Sequence, residues 1–141
     1  MKVRKIKSEL IINAPLKLVW ETIFDKENTP AWSTMFQEYE MLEDNKVKVK
    51  VVTGKRTANR TAIATDYEEY VTFGWSGPFI TKYLFSDNHR FFLEEITPTQ
   101  TKIIQTDEMI GLLKNLVPEK LYTDYDQALK VESEKRYNIK K

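Results

Sequence analysis

The chain has 141 residues, enough for one compact domain and short for two. Its 22 basic and 21 acidic side chains nearly cancel, which removes the electrostatic footprint of a nucleic-acid binder. The absence of cysteine excludes thiol nucleophiles and cysteine-ligated zinc, and a single histidine excludes His-rich metal sites, so no metal and no cofactor are expected.

The opening MKVRKIKSEL is basic but runs into IINAPLKLVW without the apolar core of a signal peptide. No apolar run is long enough to span a bilayer, so no integral membrane association is expected and the chain reads as cytoplasmic. Ile6, Leu10 and Ile12 alternate with Lys5, Lys7 and Glu9, the period of a half-buried strand ending near Asn13. Asn13-Ala14-Pro15 reads as a helix start with Asn or Ala at the cap. Leu16, Val19, Trp20, Ile23 and Phe24 then form one apolar stripe. The segment Asp25 to Pro30 breaks that helix, and Pro30-Ala31-Trp32 begins a short second one.

From about residue 37 to 112 the period returns to two, and the spacing predicts six strands in an antiparallel meander. Val47, Val49 and Val51 alternate with lysines after a turn at Glu43-Asp44-Asn45. Val71, Phe73 and Trp75 share one strand face; His89, Phe91 and Leu93 share another, between turns at Ser86-Asp87-Asn88 and Thr97-Pro98-Thr99. Arg90, Glu94, Glu95 and Glu108 read as an outer face with cross-strand ion pairs of little energetic weight. Lys114 to about Tyr137 predicts a long helix striped by Val117, Leu121, Tyr125, Ala128 and Leu129, with Pro118 either tolerated or dividing off a lead-in turn. No repeat or linker interrupts the pattern, so residues 1–141 read as one α+β domain with helices on one face of a sheet.

Several short strings share an order with a known family. INAPLKLVWETIFDKENTPAW, FGWSG, HRFFLEE, DEMIG and YDQALKVESE together resemble the polyketide cyclase/dehydrase branch of the START-like (SRPBCC, Bet v 1-like) superfamily, over residues 3–134. The resemblance implies a helix-grip fold: a curved seven-stranded antiparallel sheet, two short helices after the first strand, and a long C-terminal helix over a hydrophobic cavity. Because such folds carry many functions, function rests on the site.

By that resemblance the strand faces with Phe73, Trp75, His89, Phe91 and Leu93 line the cavity, together with Asp107, Met109, Tyr125 and Leu129 as ligand-binding candidates. Asp107 holds the family's acidic position with a shorter side chain than the usual glutamate, and without partners it reads as a solvated strand residue. Tyr125 is the polar candidate on the last helix, whereas Tyr122 reads as facing outward. No catalytic motif is present: Gly74-Trp75-Ser76-Gly77 is not a nucleophile elbow, and neither GxGxxG nor a P-loop can be written. The expected function is therefore binding or transport of a small hydrophobic or amphipathic ligand, by a monomer or homodimer. One alternative is a cyclase or dehydratase using His89, Asp107 and Tyr125. The second is a protein-interaction module presenting an apolar Phe79 to Phe85 segment.

Overall fold

A computed structural model describes residues 2–53, 55–78, 81 and 83–140 of the protein. The elements run β1 (Arg4–Ile12), α1 (Leu16–Phe24), α2 (Thr29–Trp32), β2 (Phe36–Met41), β3 (Lys46–Thr53), β4 (Arg56–Glu68), β5 (Thr72–Pro78), β6 (Ser86–Thr97), β7 (Gln100–Ile110) and α3 (Lys120–Lys140). All seven strands join one antiparallel sheet in the order β1-β7-β6-β5-β4-β3-β2. The first strand thus closes against the last, and α3 crosses the concave face against β1, α1 and α2. This is the helix-grip architecture.

The sheet curves where its pairing slips, because a bulged strand bends. Register shifts fall between Phe36 and Glu38, between Ala64 and Asp66, and between Glu95 and Thr97. Gly74 sits where strands crowd: a Cβ there would lie 2.8 Å from the His89 carbonyl. The Glu43-Asp44-Asn45 turn is formed as expected, with Asp44 and Asn45 both at positive φ, a conformation that Asp and Asn tolerate.

Inward side chains stand in cross-strand rows, because register fixes who faces whom. One row reads Phe73, Phe91, Gln105, Ser8; the next reads Trp75, His89, Asp107, Ile6; the third reads Gly77, Asp87, Met109, Arg4. Around the first row α1 and β2 deliver Trp20, Phe24 and Phe36, and the rings interlock. Phe73 lies parallel to Phe91 at 4.5 Å and edge-on to Trp20 at 5.7 Å and Phe24 at 4.8 Å.

Four local expectations are corrected. Ser86, Asp87 and Asn88 are the first residues of β6, not a turn, since their alternation continues that of His89 and Phe91. Pro15 itself occupies the cap of α1, with no side-chain cap bond. Val71 lies before β5 in an exposed turn, outside the face of Phe73 and Trp75. Arg90 pairs with Asp66 at 3.3 Å rather than with Glu94, Glu95 or Glu108. Pro118 does divide the C-terminal segment, leaving a single 3-10 turn at Lys114–Leu116 ahead of α3.

Candidate functional site

From the second and third rows, Trp75, His89, Asp107 and Asp87 face a cavity of about 300 Å³ instead of packed rings. Apolar walls come from Met35, Val51, Val52, Phe85, Leu113 and Leu121, and the sheet contributes Trp75 with a polar cluster. Such a hollow, mostly apolar with a few converging polar groups, is the usual form of a small-molecule site.

The polar cluster is built by register. His89 on β6 has Trp75 of β5 on one side and Asp107 of β7 on the other, so the three side chains lie abreast on one face. Asp87, two residues before His89, points the same way. Ligand atoms of Asp87, His89 and Asp107 all lie within 4.8 Å of one another. From β4, Arg60 reaches across to Asp87 at 2.6 Å and to the Gly77 carbonyl at 2.6 Å. Both partners of that ion pair are nearly sealed, with side chains 8% and 7% exposed. Two charges this deep survive because each neutralises the other and the guanidinium gains a second acceptor.

A chain of hydrogen bonds sets the histidine's proton. The Tyr122 backbone carbonyl can only accept, and Gln105 Nε2 donates to it at 3.2 Å and to Asp126 Oδ1 at 2.6 Å. The amide oxygen of Gln105 therefore faces His89 Nε2, at 2.8 Å, and that nitrogen must carry a proton. Nδ1 is left toward Asp107 Oδ2 at 3.6 Å. Tyr122 donates its hydroxyl to the same carboxylate oxygen at 2.5 Å. Burial pushes the Asp107 carboxyl above the usual range, and the neighbouring His89 and Tyr122 offset part of that. Burial likewise raises the Tyr122 phenol, with Asp107 adding to the effect, so the hydroxyl stays a donor. Behind this group Asp126 is pushed up to about 6, also by burial. Trp75 Nε1 and Asp107 Oδ1 are buried without a protein partner.

Of the nine residues expected at the ligand, Trp75, His89 and Asp107 line the cavity. Phe73, Phe91, Leu93, Tyr125 and Leu129 pack in the main core, and Met109 packs with Ile6 and Tyr122 in a smaller cluster. Asp107 is buried rather than solvated, because Tyr122 and His89 partner it. Tyr122 faces inward, not outward: with Tyr125, Leu129 and Ser133 it forms the buried stripe of α3. Tyr125 is wholly buried against Trp32 and Phe91.

Sequence reasoning missed Arg60, Asp87 and Gln105, although each left a signal. Arg60 is in phase with Ala58, Ala62 and Ala64 on β4, an arginine on an otherwise small inward face. Asp87 and Gln105 are in phase with buried neighbours, His89 and Phe91 on one strand, Ile103 and Asp107 on the other. In the Phe79 to Phe85 segment, Phe79, Ile80 and Lys82 lie outside the described residues; Tyr83 is exposed, whereas Phe85 is half-buried on the cavity wall.

No protein-family model matches the sequence, and no curated protein does. Solved structures do. The Zhui aromatase/cyclase from Streptomyces sp. R1128 is 14% identical, covers 96% of each chain and superposes with a TM-score of 0.73. A START superfamily protein from Mycobacterium smegmatis is 14% identical over 97% of this chain and 99% of its own, with a TM-score of 0.64. A norcoclaurine synthase point mutant from Thalictrum flavum, bound to a transition-state analogue, is 12% identical over 96% of each chain, with a TM-score of 0.62. At these identities the likeness concerns backbone architecture, and it extends over nearly every element from β1 to α3. The protein has the START-like helix-grip fold that its short sequence strings resemble.

Proposed function

We propose that the protein binds a small, mostly apolar molecule in the cavity under α3, with the molecule's polar group turned toward His89, Asp107 and Asp87. The observation that carries this reading is the pairing of a 300 Å³ apolar-walled hollow with one buried polar cluster on its sheet wall. Burying that cluster costs stability, and an all-apolar wall would not incur the cost, so the polar groups are best accounted for by a ligand that meets them. The unpaired Trp75 Nε1 and Asp107 Oδ1 support the same reading. The ligand-binding set is then Trp75, His89 and Asp107, joined by Asp87, Arg60 and Tyr122. Phe73, Phe91, Leu93, Met109, Tyr125 and Leu129 set the shape behind them. The proposal takes the chain as one cytoplasmic START-like domain, acting as a monomer or homodimer.

A second reading is an enzyme of the cyclase or dehydratase type. The favouring observation is the abreast placement of His89 and Asp107 with Tyr122 on the cavity wall, which puts an acid-base pair beside any bound molecule. A thermal-shift screen of lipids and aromatic compounds, followed by native mass spectrometry, tests both. A binding protein shows ligands that raise the melting temperature and are recovered unchanged. Recovery of a ligand with altered mass or structure establishes the enzyme instead, and a screen in which no compound raises the melting temperature overturns the cavity reading.

A further inference from the structure

The cavity end of the molecule is dressed differently from the opposite end. The segment after β7 crosses the one before β6: Leu112 N–H donates to the Tyr83 carbonyl at 3.1 Å, and Leu113 N–H to the Leu84 carbonyl at 2.9 Å. Gly111 makes the crossing possible, since at φ 111° a side chain would run into the Phe85 amide. The crossing places Tyr83, Leu112 and Leu116 at the rim, 68%, 76% and 74% exposed. Large apolar side chains gathered in this way mark an interaction site rather than a solvated loop.

Cations lie on both sides of the cavity that these side chains border. Lys55 and Arg56 stand at the β3–β4 turn, directly beyond the wall residues Val51 and Val52. Lys114 follows Leu113, and its carbonyl accepts from Arg4, which also binds the Val117 carbonyl. Two acidic neighbours are spoken for, since Asp124 pairs with Lys120 at 3.4 Å and Asp87 is buried with Arg60, and Glu108 stands opposite Lys5 in the sheet register. Glu119 remains. With a net charge of only +1 for the whole chain, this basic rim is offset by an acidic remainder, including Glu68, Glu69, Glu94 and Glu95 at the far end.

We propose that this rim docks on a membrane surface containing anionic lipid, lowering the cavity mouth onto the bilayer. Exposed leucines and a tyrosine for the interfacial layer, flanked by lysine and arginine for the headgroups, are the two complementary elements of peripheral binding. A second copy of the chain is the poorer occupant, since it would bring the same cations against this face. The inference rests on the rim and not on what fills the cavity.

Flotation with phosphatidylcholine vesicles, with and without phosphatidylglycerol, tests it. The wild-type chain is expected to float with the anionic vesicles, to remain behind with neutral ones, and to be released by high salt. Lys55→Gln with Arg56→Gln should weaken partitioning about 25-fold, at roughly fivefold per cation. Leu112→Asp should weaken it at least as much. All these side chains are exposed, so circular dichroism and melting temperature should match the wild type. Equal binding to both vesicle types, or none to either, overturns the proposal. So does displacement by polyglutamate with no effect of Leu112→Asp, which would assign the rim to an acidic protein. The ligand screen repeated on the same variants separates the two ideas: vesicle binding without any ligand shift removes the cavity reading alone.

Discussion

The two ends of the sheet's concave face use the same strands and the same alternation, yet one is solid and the other hollow. At the α1 end Phe73 and Phe91 meet Trp20, Phe24 and Phe36, and the rings fill the space. Two residues further along the same strands, His89 meets Tyr122 of α3 while the space before it and Trp75 stays open, and the crossing loops at Tyr83 and Leu112 form its rim. The difference teaches that strand alternation decides which side chains turn inward, whereas the element lying opposite decides whether the volume they face is filled. It also places the buried ion pair: among the interlocked rings a charge would have no compensating partner, and at the hollow end Arg60 supplies one to Asp87.

Substituting one aromatic in each half should separate them most clearly. Phe73→Ala, in the packed half, should cost toward the upper part of the about 3–5 kcal/mol range, since the surrounding rings have no room to relax. Ligand affinity of the folded fraction should stay unchanged. Trp75→Ala, with a void already beside it, should cost about 3 kcal/mol, the lower end of that range, while removing ligand binding. Urea unfolding and thermal shift read both, and equal losses of stability with binding intact in each variant would break the comparison.

The buried ion pair gives the next effect. Arg60→Met leaves the Asp87 carboxylate sealed without its partner, at about 3 kcal/mol. Arg60→Met combined with Asp87→Leu should recover most of that, because neither charge is then stranded. If the double variant proves as unstable as the single one, the pair is not what balances the polar end.

The smallest effect sharpens the comparison through pH. Asp126, pushed up to about 6 behind the polar cluster, holds its proton more tightly folded than unfolded. Its contribution is complete below the unfolded carboxyl value of about 4 and is lost as pH rises through about 6. Asp107 shifts in the same direction. Stability should therefore fall by about 2–3 kcal/mol between those limits for this group, and Asp126→Asn should flatten the slope. Phe73→Ala should keep it, since Asp126 is held by Gln105 and not by the rings around Phe73. A slope unchanged by Asp126→Asn would locate the pH sensitivity elsewhere.

Much of the architecture was legible because it is written locally. The stripe Leu16 to Phe24, the Val47-Val49-Val51 alternation and the Asp44-Asn45 turn each depend on residues within one element, and each forms where its pattern lies. Asp87 was misread because Ser-Asp-Asn is good turn chemistry, and ladder pairing with Gly77 and Met109 overrode that propensity. Tyr122 was misread because a helix stripe one turn wide admits it on either side, and only the seat of α3 against β1 turned it inward, where it meets Asp107.

The sequence by itself determined the order of strands and helices, the inward phase of Trp75 and His89, and the short strings that resemble the helix-grip fold, since period and turn chemistry act over a few residues. The tertiary structure alone decided that Arg60 answers Asp87, that Gln105 sets the proton on His89, and that the space before them stays open. Those outcomes depend on side chains brought together across a sheet from positions 15 to 30 residues apart, and no local pattern specifies the distance between them.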